Sequence, residues 1–292
     1  MGDASDSTYR PGGDNAYRDL PAVGPFAPLL GGALITWVEP TPDHVVSYNR
    51  WYEDDHMITG AMVMPWMFSC RRWVSPKSIQ HLRGPVGSRV AEPLDAGKYI
   101  GLYWINEGRI EDHEQWSLGS NRRLHAEGRG SYRGAGHDPL EERRHVFTSF
   151  SDHLGTTYRD DLVPRDVHTL MQPYRGLIVQ VIDAAGGGRE HLDTWLSETY
   201  LPGVVTGSVA VAIRFAPRPL PPDKLSHVRE LDGVDGVVTV LHFLETEPQD
   251  CWNTQFADAE QQILESGVGT LGVQAAFIPT NHGTDDYTDQ LF

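Results

Sequence analysis

Cysteine is scarce in this chain. Only Cys70 and Cys251 occur in 292 residues. Two thiols so far apart make neither a disulfide framework nor a thiolate metal cluster. Basic residues are outnumbered, with 24 Lys and Arg against 40 Asp and Glu, for a formal charge of -16 at pH 7. No long basic run offsets this, so no nucleic-acid partner is expected. An acidic field also disfavours anionic membrane surfaces. No apolar run approaches the roughly 18 residues of a membrane helix. The opening MGDASDSTYRPGG lacks the apolar segment of a secretory signal, so a cytoplasmic location is expected. The 13 histidines form no HExxH or similarly spaced metal motif. The glycine run over 184–188 joins a strand to a helix without GxGxxG or GxxxxGK[ST]. Neither a metal nor a cofactor is expected.

What is present is a fold unit written twice. Hydrophobic residues make up 39% and aromatic residues 10%, enough for a large core. Residues 33–56 read ALITWVEPTPDHVVSYNRWYEDDH, and residues 177–200 read LIVQVIDAAGGGREHLDTWLSETY. Laid together, strand falls on strand, helix on helix and Trp51 on Trp195. The match fails where Tyr52 becomes Leu196 and His56 becomes Tyr200. Polar chemistry is thus concentrated in the first copy.

Periodicity gives each copy the order β-α-β-β-α-β. In the first, the strands are expected at 33–39, 69–76, 98–107 and 143–150, and the helices at about 42–56 and 112–127. Thr41 and Pro42 suit a helix start. Val45, Tyr48, Asn49, Tyr52 and His56 share one face, while Glu53 and Asp54 point more nearly outward. A helix over about 250–266 is expected in the second copy. These units predict an α+β fold: tandem ferredoxin-like repeats, each an antiparallel sheet with helices on one face. Burying the two open sheet faces together closes an intrachain barrel of the dimeric α/β type. The expected organisation is an irregular arm over 1–30, a first repeat over 31–160 carrying the active-site cleft, a connector over 161–174, a second repeat over 175–281 and a polar tail over 282–292. A long insertion at 77–97 suits a lid or pocket wall. Its proline-rich counterpart, PRPLPPDKLSHVRELDG, suits a brace.

The segment Asn49-Arg50-Trp51-Tyr52-Glu53-Asp54-Asp55-His56, with Arg71-Arg72-Trp73 in the next strand, resembles the EthD-like branch of the dimeric α/β-barrel superfamily. Members often continue the motif as His-x-Pro, where this chain has His56-Met57-Ile58. The resemblance spans residues 33–280. It implies a cleft between helices and sheet with His56 inside it. The superfamily includes cofactor-free cyclases, small monooxygenases, isomerases, decarboxylases, haem enzymes and supporting subunits. The Gly-x-x-Asp-Gly pattern of dye-decolourising peroxidases is missing.

His56 is the expected general base and Tyr52, one turn earlier, the oxyanion stabiliser. The plainer reading is a helix-end histidine and a packed tyrosine. Tyr48 and Asn49 extend the same face as substrate contacts. Trp51 and Trp195 suit core packing. Strand alternation lets only one of Tyr103 and Trp104 face the cleft, the other entering the barrel. Arg71 and Arg72 alternate likewise, and an inward arginine needs a carboxylate from the protein or the substrate. Arg72, Trp73, Tyr103 and Trp104 join the candidate contacts, with His81 and Arg83 from the insertion. His145 and His242 are strand histidines of the kind that can ligate haem. The expected activity is a cofactor-independent lyase or isomerase, catalysing cyclisation, dehydration or C–C cleavage of an aromatic or polyketide-like molecule. Alternatives are a cofactor-independent monooxygenase of phenols and a non-catalytic binding protein. The chain is expected as a monomer or homodimer of the fused repeats.

Overall fold

A computed structural model describes residues 28–134, 136–138 and 141–292. The arm expected over 1–30 lies outside the described residues apart from its last positions. The β-rich segment after residue 30 forms β1 (Leu30–Pro40). Pro42 opens a short 3-10 turn into α1 (Val45–Trp51). The helix then widens into π turns at Tyr52–His56 and Ile58–Met62. Next come β2 (Met67–Val74), the short β3 (Arg83–Gly84), β4 (Tyr99–Asn106), α2 (Ile110–Ala126) and β5 (Arg143–Tyr158). The second repeat supplies β6 (Gly176–Ala184), α3 (Gly188–Trp195), a π turn at Leu196–Tyr200, and α4 (Leu201–Val204). It ends with β7 (Val209–Pro217), β8 (Val237–Leu244), α5 (Pro248–Gln255), α6 (Ala259–Ser266) and β9 (Gly269–Pro279). The helix expected over 250–266 is therefore two, parted after Gln255.

Eight antiparallel strands close a barrel in the order β2-β4-β1-β5-β7-β8-β6-β9, and β2 pairs with β9 through Trp73↔Pro279 and Val74↔Ile278. The fourth strand of each repeat thus pairs with the second strand of the other. β5 runs to Tyr158, beyond its expected end at 150. Its first half pairs with β1, and Ser151–Tyr158 pair with β7 across the repeat boundary. Among the described residues no helix is long and apolar enough to cross a membrane.

Strand alternation sorts the large side chains. Trp37, Trp73, Trp104, Phe215, Phe243 and Phe277 fill the barrel, each fully buried. Outside the barrel, Tyr48, Trp51 and Tyr52 pack on Leu34, Val38 and Tyr103 in the first repeat. Leu192, Leu196 and Tyr200 pack on Ile178, Ile182 and Val240 in the second.

The two insertions change places. Residues 77–97 lie on the second repeat: Ile79 and Leu82 join its helix cluster, Ser88 Oγ donates to the Gly272 carbonyl at 2.6 Å, and Arg89 pairs with Asp183. The proline-rich segment after Pro217 lies on the first repeat. There Arg218 pairs with Asp152 at 2.9 Å, and Asp223 pairs with Arg122 of α2. The lid expected over the first repeat is therefore supplied by the second. The tail also docks, with Leu291 fully buried among Val45, Val74 and Tyr99.

Candidate active site

The site begins on β1, where Leu34, Thr36 and Val38 face the helices. Tyr48, Tyr52 and His56 recur at four-residue steps and face the same space. The Tyr52 hydroxyl lies 3.2 Å from Thr36 Oγ and 2.6 Å from the Tyr103 hydroxyl. Gly101 makes the approach possible, because a Cβ there would stand 2.8 Å from both the Tyr52 hydroxyl and Thr36 Oγ. His56 stacks on Trp51 with ring centroids 4.4 Å apart, and Trp51 Nε1 donates to the Arg129 carbonyl at 2.9 Å. Tyr200 stacks on Trp195 in the same way at 5.3 Å. The paired tryptophans thus brace the ring at the end of each π turn. Single π turns within helices are often found at functional sites.

β5 adds Arg143, His145, Thr148 and Phe150. Simple alternation would not place all four on one face. The register with β1 steps from Trp37↔Phe147 to Val38↔His145, so Val146 is bulged out and the phase shifts. α2 contributes Ser117, Asn121 and His125 at four-residue steps. The second repeat covers the mouth with Leu220, Lys224, Leu225, His227 and Val228. The cleft comprises about 820 Å³ of space, part of it open to solvent.

Three imidazoles and one guanidinium meet here with unused hydrogen-bonding capacity. Among the described residues, His56 Nδ1, His125 Nε2, His145 Nε2 and Arg143 Nη1 are buried without a partner. Native interiors leave few such atoms, and each calls for an explanation. Burial, reinforced by the Arg143 charge, holds His56 and His145 well below the ordinary histidine value and pushes His227 down to about 4. The same two causes lower His125. All four rings are therefore neutral near pH 7 and present lone pairs as well as N–H groups. Burial raises Tyr103 well above the ordinary phenol value, so it stays a hydrogen-bond donor. No group of three or more His, Cys, Asp or Glu suited to a metal ion occurs among the described residues.

Of the candidate residues read from the sequence, Tyr48, Tyr52, His56 and Tyr103 line this cleft together. The others lie elsewhere. Asn49 Nδ2 donates to the Tyr99 hydroxyl at 2.8 Å. Arg72 is buried against Glu53 at 3.0 Å and lies 3.8 Å over the Tyr99 ring. Glu53, expected to point outward, is turned inward by that ion pair. Trp73 and Trp104 belong to the barrel interior, and Trp104 Nε1 donates to the Asp166 carbonyl. Arg83 is buried beside Trp37 and Phe277 and donates to the Gly97 carbonyl at 2.9 Å. His81 is exposed.

The sequence reading missed Arg143, His125 and His227, and noted His145 only as a strand histidine. One signal was within reach. Val38 pairs with His145 and Pro40 with Arg143, while their counterparts Ile182 and Ala184 pair with Leu271 and Gly269. These positions therefore lose their polarity in the second copy just as Tyr52 and His56 do. His227 carried no such signal, because only the closed barrel brings it to the first repeat.

No family model and no curated protein matches the chain. Solved structures do. It is similar to an anthrone oxidase-like protein at 11% identity, over 86% of this chain and 92% of that one, with a TM-score of 0.49. It is similar to a dye-decolorizing peroxidase from Bacteroides thetaiotaomicron at 9% identity, over 90% and 96%, with a TM-score of 0.48. It is similar to a heme-binding protein from Thermus thermophilus at 12% identity, over 87% and 93%, with a TM-score of 0.43. At these values the likeness is one of architecture.

Proposed function

We propose that this chain is an enzyme of EthD-like type that works by acid–base chemistry without a cofactor on an aromatic or polyketide-like molecule, as a lyase or isomerase. The observation that carries the reading is the convergence of His56, Tyr52 and Tyr103 on one cleft. Neutral His56 accepts a proton from an acidic C–H of the bound substrate. The C–H bond breaks, an N–H bond forms, and the electron pair moves onto the substrate's carbonyl oxygen as an enolate. A hydroxyl of the tyrosine pair donates to that oxygen. The histidinium then returns the proton: to another carbon in an isomerisation, to the alkoxide formed when the enolate carbon attacks a second carbonyl in a cyclisation, or to the β-hydroxyl that leaves as water as the enolate re-forms its carbonyl in a dehydration. In a C–C cleavage His56 instead takes a β-hydroxyl proton, the C–C bond breaks as that oxygen becomes a carbonyl, and the proton returns to the enolate carbon released.

The test is a screen of polyphenols and 1,3-dicarbonyl aromatics for turnover by the full chain, with and without dissolved oxygen. His56→Gln is expected to keep the circular dichroism spectrum and lower turnover by roughly 10²-fold. Unchanged turnover in that variant removes His56 from the mechanism. Turnover that requires oxygen makes the protein a cofactor-independent monooxygenase of phenols, and binding without turnover makes it a carrier.

A second reading is haem binding, and one observation favours it. His145 Nδ1 is held 2.8 Å from Thr148 Oγ while Nε2 is buried and free, the arrangement that orients an imidazole for a metal. His145 Nε2 would hold the haem iron and Arg143 the haem carboxylates, and the bound group would supply redox chemistry. A Soret band in the absorption spectrum of the purified chain, lost in His145→Ala, would establish this reading in place of the first.

A further inference from the structure

We propose that the molecule taken into this cleft is a planar aromatic carboxylate and that Arg143 is the residue that receives its carboxylate. The inference rests on the reading of the cleft as a substrate site and names the class of substrate.

Arg143 is 4% exposed, yet its Nη1 has no hydrogen-bond partner among the described residues. The neighbouring carboxylate supplies a counter-charge but no hydrogen bond. Glu142 Oε2 forms an ion pair with Nη1 at 3.7 Å, beyond hydrogen-bonding reach, and Glu142 Oε1 is engaged by Ser131. Nη2 reaches the Gly130 carbonyl only at 3.4 Å. A buried guanidinium with a free edge is costly unless something planar and anionic completes it. A carboxylate does so with two oxygens in one plane, matched to the guanidinium fork.

The surroundings select the rest of the ligand. The guanidinium carbon lies 4.6 Å over the Trp51 ring, and His56 stacks on that same ring at 4.4 Å. Arg143 and His56 both line the cleft, so a carboxylate held by Arg143 shares it with His56. Tyr48, Tyr103 and Phe150 offer rings to a flat apolar body. The free nitrogens of His125 and His145 lie on the same polar side, and a neutral imidazole can give its N–H to a carboxylate oxygen. The second repeat has Gly269 and Leu271 at the positions of Arg143 and His145, and its cleft is filled by Ile79 and Leu82. The anion seat is thus confined to the first cleft.

The test measures binding of 2-naphthoate and of its neutral isostere 2-naphthamide to the full chain by calorimetry near neutral pH. The wild type is expected to bind the carboxylate at least about 10-fold more tightly than the amide. Arg143→Gln should erase that preference and leave the amide's affinity nearly unchanged, while Arg143→Lys should keep part of it. Equal affinity of the wild type for both probes, no detectable naphthoate binding at millimolar concentration, or a preference that survives in Arg143→Gln would each overturn the proposal. If Arg143→Gln does not fold, the wild-type comparison and Arg143→Lys decide. His56→Gln separates this proposal from the catalytic one, because it should lower turnover by roughly 10²-fold while sparing the preference for the carboxylate.

Discussion

The phenol pair Tyr52–Tyr103 is the residue-level feature on which the proposed chemistry depends. Two hydroxyls 2.6 Å apart share one hydrogen, which leaves the other free to point at a ligand oxygen. Thr36 Oγ holds Tyr52 from behind at 3.2 Å. Tyr103→Phe removes one donor while Tyr52 keeps Thr36 as a partner, so folding should survive. Turnover on the substrate found by screening is expected to fall by about 10²-fold, as when one oxyanion donor is lost. Tyr200→Phe is the matched control. That hydroxyl accepts a hydrogen bond from Gln180 Nε2 at 2.9 Å inside the filled second cleft, so turnover should stay near the wild-type value. Equal losses from the two changes would refute a site confined to the first repeat.

At the scale of elements, the exchanged insertions cover the two copies of one fold differently. Ile79 and Leu82 enter the second repeat's helix–sheet layer beside Leu192 and Leu196, the counterparts of Tyr48 and Tyr52. The polar residues of the first copy have become leucines where another segment supplies apolar filling. Leu82→Ala should therefore cost about 2–5 kcal/mol of stability, as large-to-small changes in a packed core do. Chemical denaturation measures it, and a cost below about 0.5 kcal/mol would show that the insertion lies loosely on the surface. Over the first cleft the corresponding cover carries Lys224 and His227 and leaves space beneath it. Arg229 of that cover donates to the Val90 carbonyl at 3.1 Å, so the two insertions also brace each other.

At the scale of the molecule, the barrel exists only when both repeats are present. β5 needs β7 and β2 needs β9 to cover their edges. A fragment of residues 31–160 is expected to aggregate or to pair with itself, which size-exclusion chromatography reads directly. A well-behaved monomeric fragment would contradict the closed ring. The acid limb of stability is a second property of the whole. Burial lowers His113 and His227 to about 4 and His242 to about 3 from the ordinary 6.5. Below pH 6.5 the unfolded chain binds protons that the folded chain refuses, so the free energy of unfolding falls as pH drops toward those values. Calorimetric Tm should begin to decline near pH 6.5, well above the carboxylate range of about 4. The decline should be shallower in His242→Gln, and a Tm that stays level until the carboxylates titrate would refute the assignment.

The sequence by itself determined the repeat, the order of elements and the class of barrel, because strand and helix periods are local and were written twice. It also marked Tyr48, Tyr52 and His56, since spacing along one helix sets which side chains share a face. Alternation required Tyr103 and Trp104 to part, and the sheet sends the first to the cleft and the second to the barrel. Only the tertiary structure decided the rest. The bulge at Val146 turns Arg143 and His145 toward the cleft, and no local pattern announces a single unpaired residue in a strand. Arg72 was drawn to Glu53 rather than to a ligand because burial demanded a counter-charge close at hand. His227 reaches the first repeat from the second, and His81 misses it, because each insertion crosses to the other half of a closed ring. Such crossings depend on contacts between residues far apart in the chain, which a reading along the chain does not contain.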